Sequence, residues 1–172
     1  VFYVVILSLM IGVFYKQLIH DFKIFKSYFK EYFVLILKTW GKALVLIMIT
    51  TIIIQIITHT TQANNQIALQ NSFNSNPVFI AILAMFYAPI AEELMFRGVF
   101  RKFIKNKKLF VIVSGVVFGL MHVIDDSKTL AEFSYVFVYS ILGIYLAGIY
   151  AKTNNLCTNI FMHFMQNTLS VI

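Results

Sequence analysis

The sequence predicts an all-α fold, a polytopic integral membrane bundle of about six transmembrane helices. Three observations carry that prediction. Hydrophobic residues make up 60% of the chain and charged residues 12%, against roughly 45–50% and about 25% in soluble domains. The apolar residues are gathered into runs of membrane-spanning length, about 20 residues for roughly 30 Å of hydrocarbon. The cations, finally, alternate between the connecting segments as a multi-span topology requires.

The runs are taken in order. Residues 1–19 form the first; no charged segment precedes them and no small-residue cleavage site follows, which argues against a cleaved signal peptide. The second, 33–58, carries Lys38 and Lys42, whose stems can snorkel to an interface marked by Tyr32 and Trp40. The third, 77–97, has a clear start, because Asn76 can cap it and Pro77 suits a first turn, where a missing N–H costs nothing. Runs 109–124, 133–151 and 156–172 complete the set, the first and last of these being short. Residues 59–76, rich in Asn, Gln, Thr and Ser, are expected to be a polar outer loop. No repeat or domain boundary is evident, so 1–172 reads as a single transmembrane domain, with 1–58 accessory to a core at 77–172.

Charge placement gives the expected topology. Lys16, Lys23, Lys26 and Lys30 lie between the first two runs, and Arg101, Lys102, Lys105, Lys107 and Lys108 follow the third. Residues 59–76 have no Lys or Arg, and the loop after the fourth run has only Lys128, beside Asp125, Asp126 and Glu132. Basic loops in the cytoplasm put both termini outside. The net charge of +7 thus reads as topology and contact with anionic lipid, and no nucleic-acid partner is expected. Twelve Lys against two Arg, with abundant Ile and Asn, point to an AT-rich genome and a multi-pass bacterial plasma-membrane location. The lone Cys157 can form no internal disulfide and reads as a small apolar residue.

Ionisable side chains in hydrocarbon are costly, so each marks a candidate functional position. The third run holds Glu92, Glu93 and Arg97, the fourth His122, the sixth His163 and Asn167. Glu93 and Arg97 are i,i+4 and can pair, while Glu92 points about 100° away and is left for chemistry. His163 and Asn167 are also i,i+4. Gly115 and Gly119 permit close helix contact beside Phe118 and His122. Two acids, two imidazoles and a carboxamide can therefore converge from three helices. A carboxylate in a partly dry pocket is a stronger base for water, and imidazole and amide groups can donate to an oxyanion. The same set could instead bind a divalent metal such as zinc through Glu92 or Glu93, His122 and His163. Straight, upright helices would leave His122 about 10 Å deeper than Glu92.

Glu92-Glu93-x-x-x-Arg97, Phe118-x-x-x-His122 and His163-x-x-x-Asn167 resemble the three motifs of the CPBP family, also called the Abi or CAAX-protease family, which includes Rce1-type prenyl-protein endopeptidases. The resemblance covers about 77–172. It implies an intramembrane endopeptidase acting on a membrane-associated peptide or protein. By position it makes Glu92 the general base, His122 a helper in activating water, His163 and Asn167 oxyanion donors, and Glu93 and Arg97 orienting residues. It also implies either a metalloprotease or a metal-independent glutamate protease. Members commonly have more spans than six, which leaves room for a missing or reduced amino-terminal part. Two other classes remain open: a non-catalytic immunity or scaffold protein of the same fold, and a proton-coupled transporter. Substrate identity and oligomeric state are not readable, and the site is expected to open toward the cytoplasmic half of the bundle.

Overall fold

A computed structural model describes residues 2–171, which are helical almost throughout, with no strand among them. Helices α1 (Phe2–Ser27) and α2 (Phe29–Thr58) are separated by one residue, Tyr28, with φ −114° and ψ 31°. They diverge from this point and hold the last helix, α7 (Leu156–Val171), between them. Phe25 of α1 and Phe29 and Phe33 of α2 all set their rings within 6.5 Å of Phe161 on α7. Further along α2, the Trp40 indole donates to Gln166 at 2.9 Å.

The segment expected to be a polar loop contains a helix, α3 (Asn64–Ser75). It has no apolar stripe to announce it. Its hold on the bundle is polar: Asn64, Asn65 and Gln66 donate side-chain amides to the carbonyls of Asp126, His122 and Ser170 at 2.9–3.3 Å. Such tertiary contacts, rather than propensity, stabilise a short helix.

Helix α4 spans Pro77–Phe103. Asn76 caps it as expected, accepting from the Phe79 N–H at 3.4 Å. Two π-helical turns, Leu83–Tyr87 and Leu94–Val99, flank an α-helical stretch Ala88–Glu93. Pro89 explains the first. In the π turn the Ala88 N–H bonds the Leu83 carbonyl, and Pro89 has no N–H to offer the next one, that of Ala84. A side chain from α7 meets it instead: Asn167 Nδ2 donates to Ala84 at 2.8 Å. In the second π turn the Phe96 carbonyl accepts from Ser114 Oγ at 2.9 Å.

Helix α5 (Lys107–Met121), capped by Asn106, packs chiefly on α6, whose helical stretches Leu130–Phe133 and Val136–Thr153 run together as one span. The expected glycine contact is present. A Cβ at Gly143 would lie 2.6 Å from the Gly115 carbonyl oxygen, and one at Gly119 would strike Ser140. Among the described residues, four helices are long and apolar enough to cross a membrane: α1, α2, α4 and α6. The other two of the six expected spans are shorter, α5 at 15 and α7 at 16 residues, or roughly 22–24 Å. Helix α7 touches all four long helices.

Candidate active site

The stretch between the two π turns ends in Glu92 and Glu93, and their side chains have opposite fates. Glu93 is fully buried. One oxygen lies 2.9 Å from His163 Nδ1; the other lies 3.1 Å from Arg97 Nε and accepts from Asn159 Nδ2 at 3.1 Å. Arg97 is fully buried as well, far from a role as a surface topology anchor. Its Nη2 donates to the Gly143 carbonyl at 3.0 Å, and its guanidinium lies 5.1 Å from the Phe118 ring centre. A buried carboxylate is thereby neutralised and spoken for on both oxygens.

Glu92 points the other way, into a cavity of about 560 Å³ that His122, His163 and Asn167 also line. Its Oε2 is buried without a hydrogen-bond partner and sits 3.8 Å from the Nε2 of His122 and 3.8 Å from the Nε2 of His163. Both rings are fixed by their other nitrogen. His122 lies just past the end of α5, where its Nδ1 donates to the Phe118 carbonyl at 2.8 Å. Because a carbonyl only accepts, that bond puts the proton on Nδ1 and leaves Nε2 toward Glu92. The Phe118 and Tyr139 rings hold it from either side, with centroids at 4.4 and 4.9 Å. His163 Nδ1 is held by Glu93 in the same manner.

The structure thus brings Glu92, Glu93, Arg97, His122 and His163 into one cluster. Asn167 lines the same cavity, but its amide nitrogen is engaged by Ala84. The depth mismatch foreseen for His122 shrinks because α4 runs to Phe103, six residues past the expected end, which adds about 9 Å below Glu92. The opening of the site differs from expectation. The cavity extends from Glu92 toward α3 and the first turns of α4, away from the basic Arg101–Lys108 end.

Four contributors escaped the sequence reading. Asn159 donates to Glu93 and to the Leu146 carbonyl, at 3.1 and 2.7 Å; its signal was a position four residues before His163, on the same face. Tyr139 had none beyond its place in an aromatic-rich helix. Asp21, only 3% exposed, reaches from α1 to accept the Leu156 N–H at 2.8 Å, and Asn155 adds a cap by accepting from Thr158 N at 2.9 Å. Together they set the start of the helix that carries His163.

Donor spacing bears on a metal at this site. Zinc bonds of roughly 2.0–2.1 Å in a tetrahedron put donor atoms about 3.3 Å apart. Glu92 Oε2 is 3.8 Å from each imidazole, and among the described residues no group of three or more His, Cys, Asp and Glu is arranged to hold an ion. Glu93, the alternative ligand, is committed to Arg97, His163 and Asn159. As placed, Glu92 stands wider from each imidazole than a tetrahedral zinc would hold it.

Comparison with known proteins agrees with the three motifs. The chain is 29% identical over 114 residues to "Putative membrane peptidase YdiL" of Bacillus subtilis, covering 64% of this chain and 43% of that protein. It is 26% identical over 127 residues to "UPF0177 protein YvdC" of Lactococcus lactis, covering 73% and 46%, and 34% identical over 80 residues to "UPF0177 protein YxdF" of the same organism, covering 46% and 41%. It spans less than half the length of these relatives. No solved structure matches. The model of the Rce1-like, type II CAAX prenyl endopeptidases matches residues 74–169, more than half of the chain, and the chain belongs to that family.

Proposed function

We propose that this chain is an intramembrane endopeptidase that hydrolyses a peptide bond with a water held by Glu92 and His122, in a bacterial plasma membrane. One observation carries the reading: a buried, unpartnered carboxylate oxygen equidistant from two imidazoles whose other nitrogens are already fixed.

In this reading the water donates one hydrogen bond to Glu92 and one to His122 Nε2. Glu92 takes a proton as the water oxygen attacks the carbonyl carbon. The oxyanion formed is met by His163. With Nδ1–H given to Glu93, His163 donates from Nε2 only as imidazolium. The second N–H of Asn167 adds a further donor on the cavity wall. Glu92 then passes its proton to the departing amine as the C–N bond breaks. Glu93, Arg97 and Asn159 touch no reacting atom and act by position.

The test is purified wild-type protein beside Glu92→Ala on a panel of labelled peptides, with and without a chelator. Cleavage is expected to fall about 10²–10⁴-fold in the variant, the range of a lost general base, while the protein still accumulates in the membrane. Unchanged cleavage by Glu92→Ala refutes the mechanism. Loss of activity with the chelator, restored by zinc, refutes the metal-independent version.

A further inference from the structure

The cavity and the clustered basic segments of this chain lie at opposite ends of the bundle. The cavity begins at Glu92 and His163, about midway along α4 and α7, and runs past Ala84 and Ser170 to α3, where Gln66 and Ser72 line it. At that end the loop 122–129 carries Lys128 beside Asp125 and Asp126. At the other end lie Lys23, Lys26 and Lys30 around the α1–α2 break, the basic run Arg101–Lys108 between α4 and α5, and Lys152 in the last turn of α6. Contacts of Phe14 with Gly98 and of Asp21 with Leu156 place these basic segments together. An excess of Lys and Arg in short connecting segments marks the cytoplasmic face.

We infer that the catalytic cavity takes its peptide from the non-cytoplasmic side of the membrane, entering at the α3 end. This rests on the peptidase reading above. The wall chemistry fits an internal stretch of peptide. Carboxamides such as Gln55, Gln62, Asn65 and Gln66 line the approach, and they pair with both N–H and C=O of an extended backbone. Among the described residues no Lys or Arg lines the cavity to meet a free terminal carboxylate, and the acidic groups that line it are Glu92 and Asp126.

The experiment has two arms. In a Cys157→Ser background, Ser72→Cys and Lys105→Cys are treated with a membrane-impermeant maleimide in intact bacterial cells expressing the protein. Both positions are exposed, and Asn74→Cys, exposed on the same helix as Ser72, repeats the first. Labelling of Ser72→Cys and Asn74→Cys in intact cells, with Lys105→Cys reacting only after permeabilisation, is expected; the reverse pattern overturns the inference. In the second arm, a peptide cleaved by the purified enzyme is added to sealed vesicles. Glu92-dependent cleavage is expected in right-side-out vesicles and not in inverted ones, and cleavage confined to inverted vesicles overturns it. Absence of Glu92-dependent cleavage by the purified protein in detergent overturns the underlying peptidase reading, while the labelling still decides the orientation.

Discussion

His163 Nδ1 lies 2.9 Å from one oxygen of Glu93, whose other oxygen lies 3.1 Å from Arg97. The fully buried carboxylate of the pair thus aims the ring that faces Glu92. Glu93→Gln strips the charge and leaves Arg97 as an uncompensated buried cation. Breaking one side of such a pair costs roughly 3–5 kcal/mol, to be read from unfolding in detergent. Glu93→Gln combined with Arg97→Met is expected to cost less than the sum of the single changes. Strictly additive costs would mean that the two residues do not form a unit.

Asn159→Ala removes a donor from Glu93 and from the Leu146 carbonyl. Leaving buried acceptors unpaired costs about 1–3 kcal/mol. Because Asn159 acts through Glu93, the expected kinetic signature is a lower kcat with KM little changed. A rise in KM alone would assign Asn159 to substrate binding instead.

The glycines divide into two sets. Alanine at Gly119 or Gly143 forces a methyl into the backbone of the facing helix, and overpacking of this kind costs about 1–3 kcal/mol. Gly12, Gly41 and Gly148 have open space where a Cβ would go. Alanine there is expected to be neutral or to stabilise by about 0.5–1 kcal/mol, the helical penalty of glycine. Melting temperatures of the five variants should separate into these groups, and a uniform response would show that α5 and α6 are not in close contact.

Asp21→Ala withdraws the carboxylate that accepts the first N–H of α7. Loss of a cap costs about 1 kcal/mol, and loss of an anion at the positive end of the helix adds to it. Both stability and cleavage should fall, because α7 carries His163. Full activity in a destabilised Asp21→Ala protein would show that the start of α7 does not govern the site.

The long helices were legible because an apolar run of bilayer length has few other uses, and the site because each intramembrane ionisable residue needs a reason to be there. What stayed hidden is polar but gives no sign of its partner in the sequence. Asn159 carries no charge, so nothing in the sequence marks it as a partner of Glu93. Asp21 lay among lysines, where a carboxylate reads as a solvated neighbour, and only the arrival of Leu156 from a distance of 135 residues gives it a role. Helix α3 is hard to tell from a loop in the sequence because Asn, Gln and Ser hold no stripe to read; its partners are carbonyls on α7 and in the segment that follows α5. The direction of the cavity could not be read because it depends on how α3 lies across the bundle.

The wedge of α7 between α1 and α2 has a consequence for biosynthesis. Segments leave the ribosome in order, so the earlier helices enter the bilayer before α7 arrives. Until then Glu93 and Arg97 have each other, but Glu92 faces only one imidazole and the ring aimed by Glu93 does not exist. A nascent or stalled chain therefore holds an incomplete constellation, and the cluster closes only when the final described helix slots home.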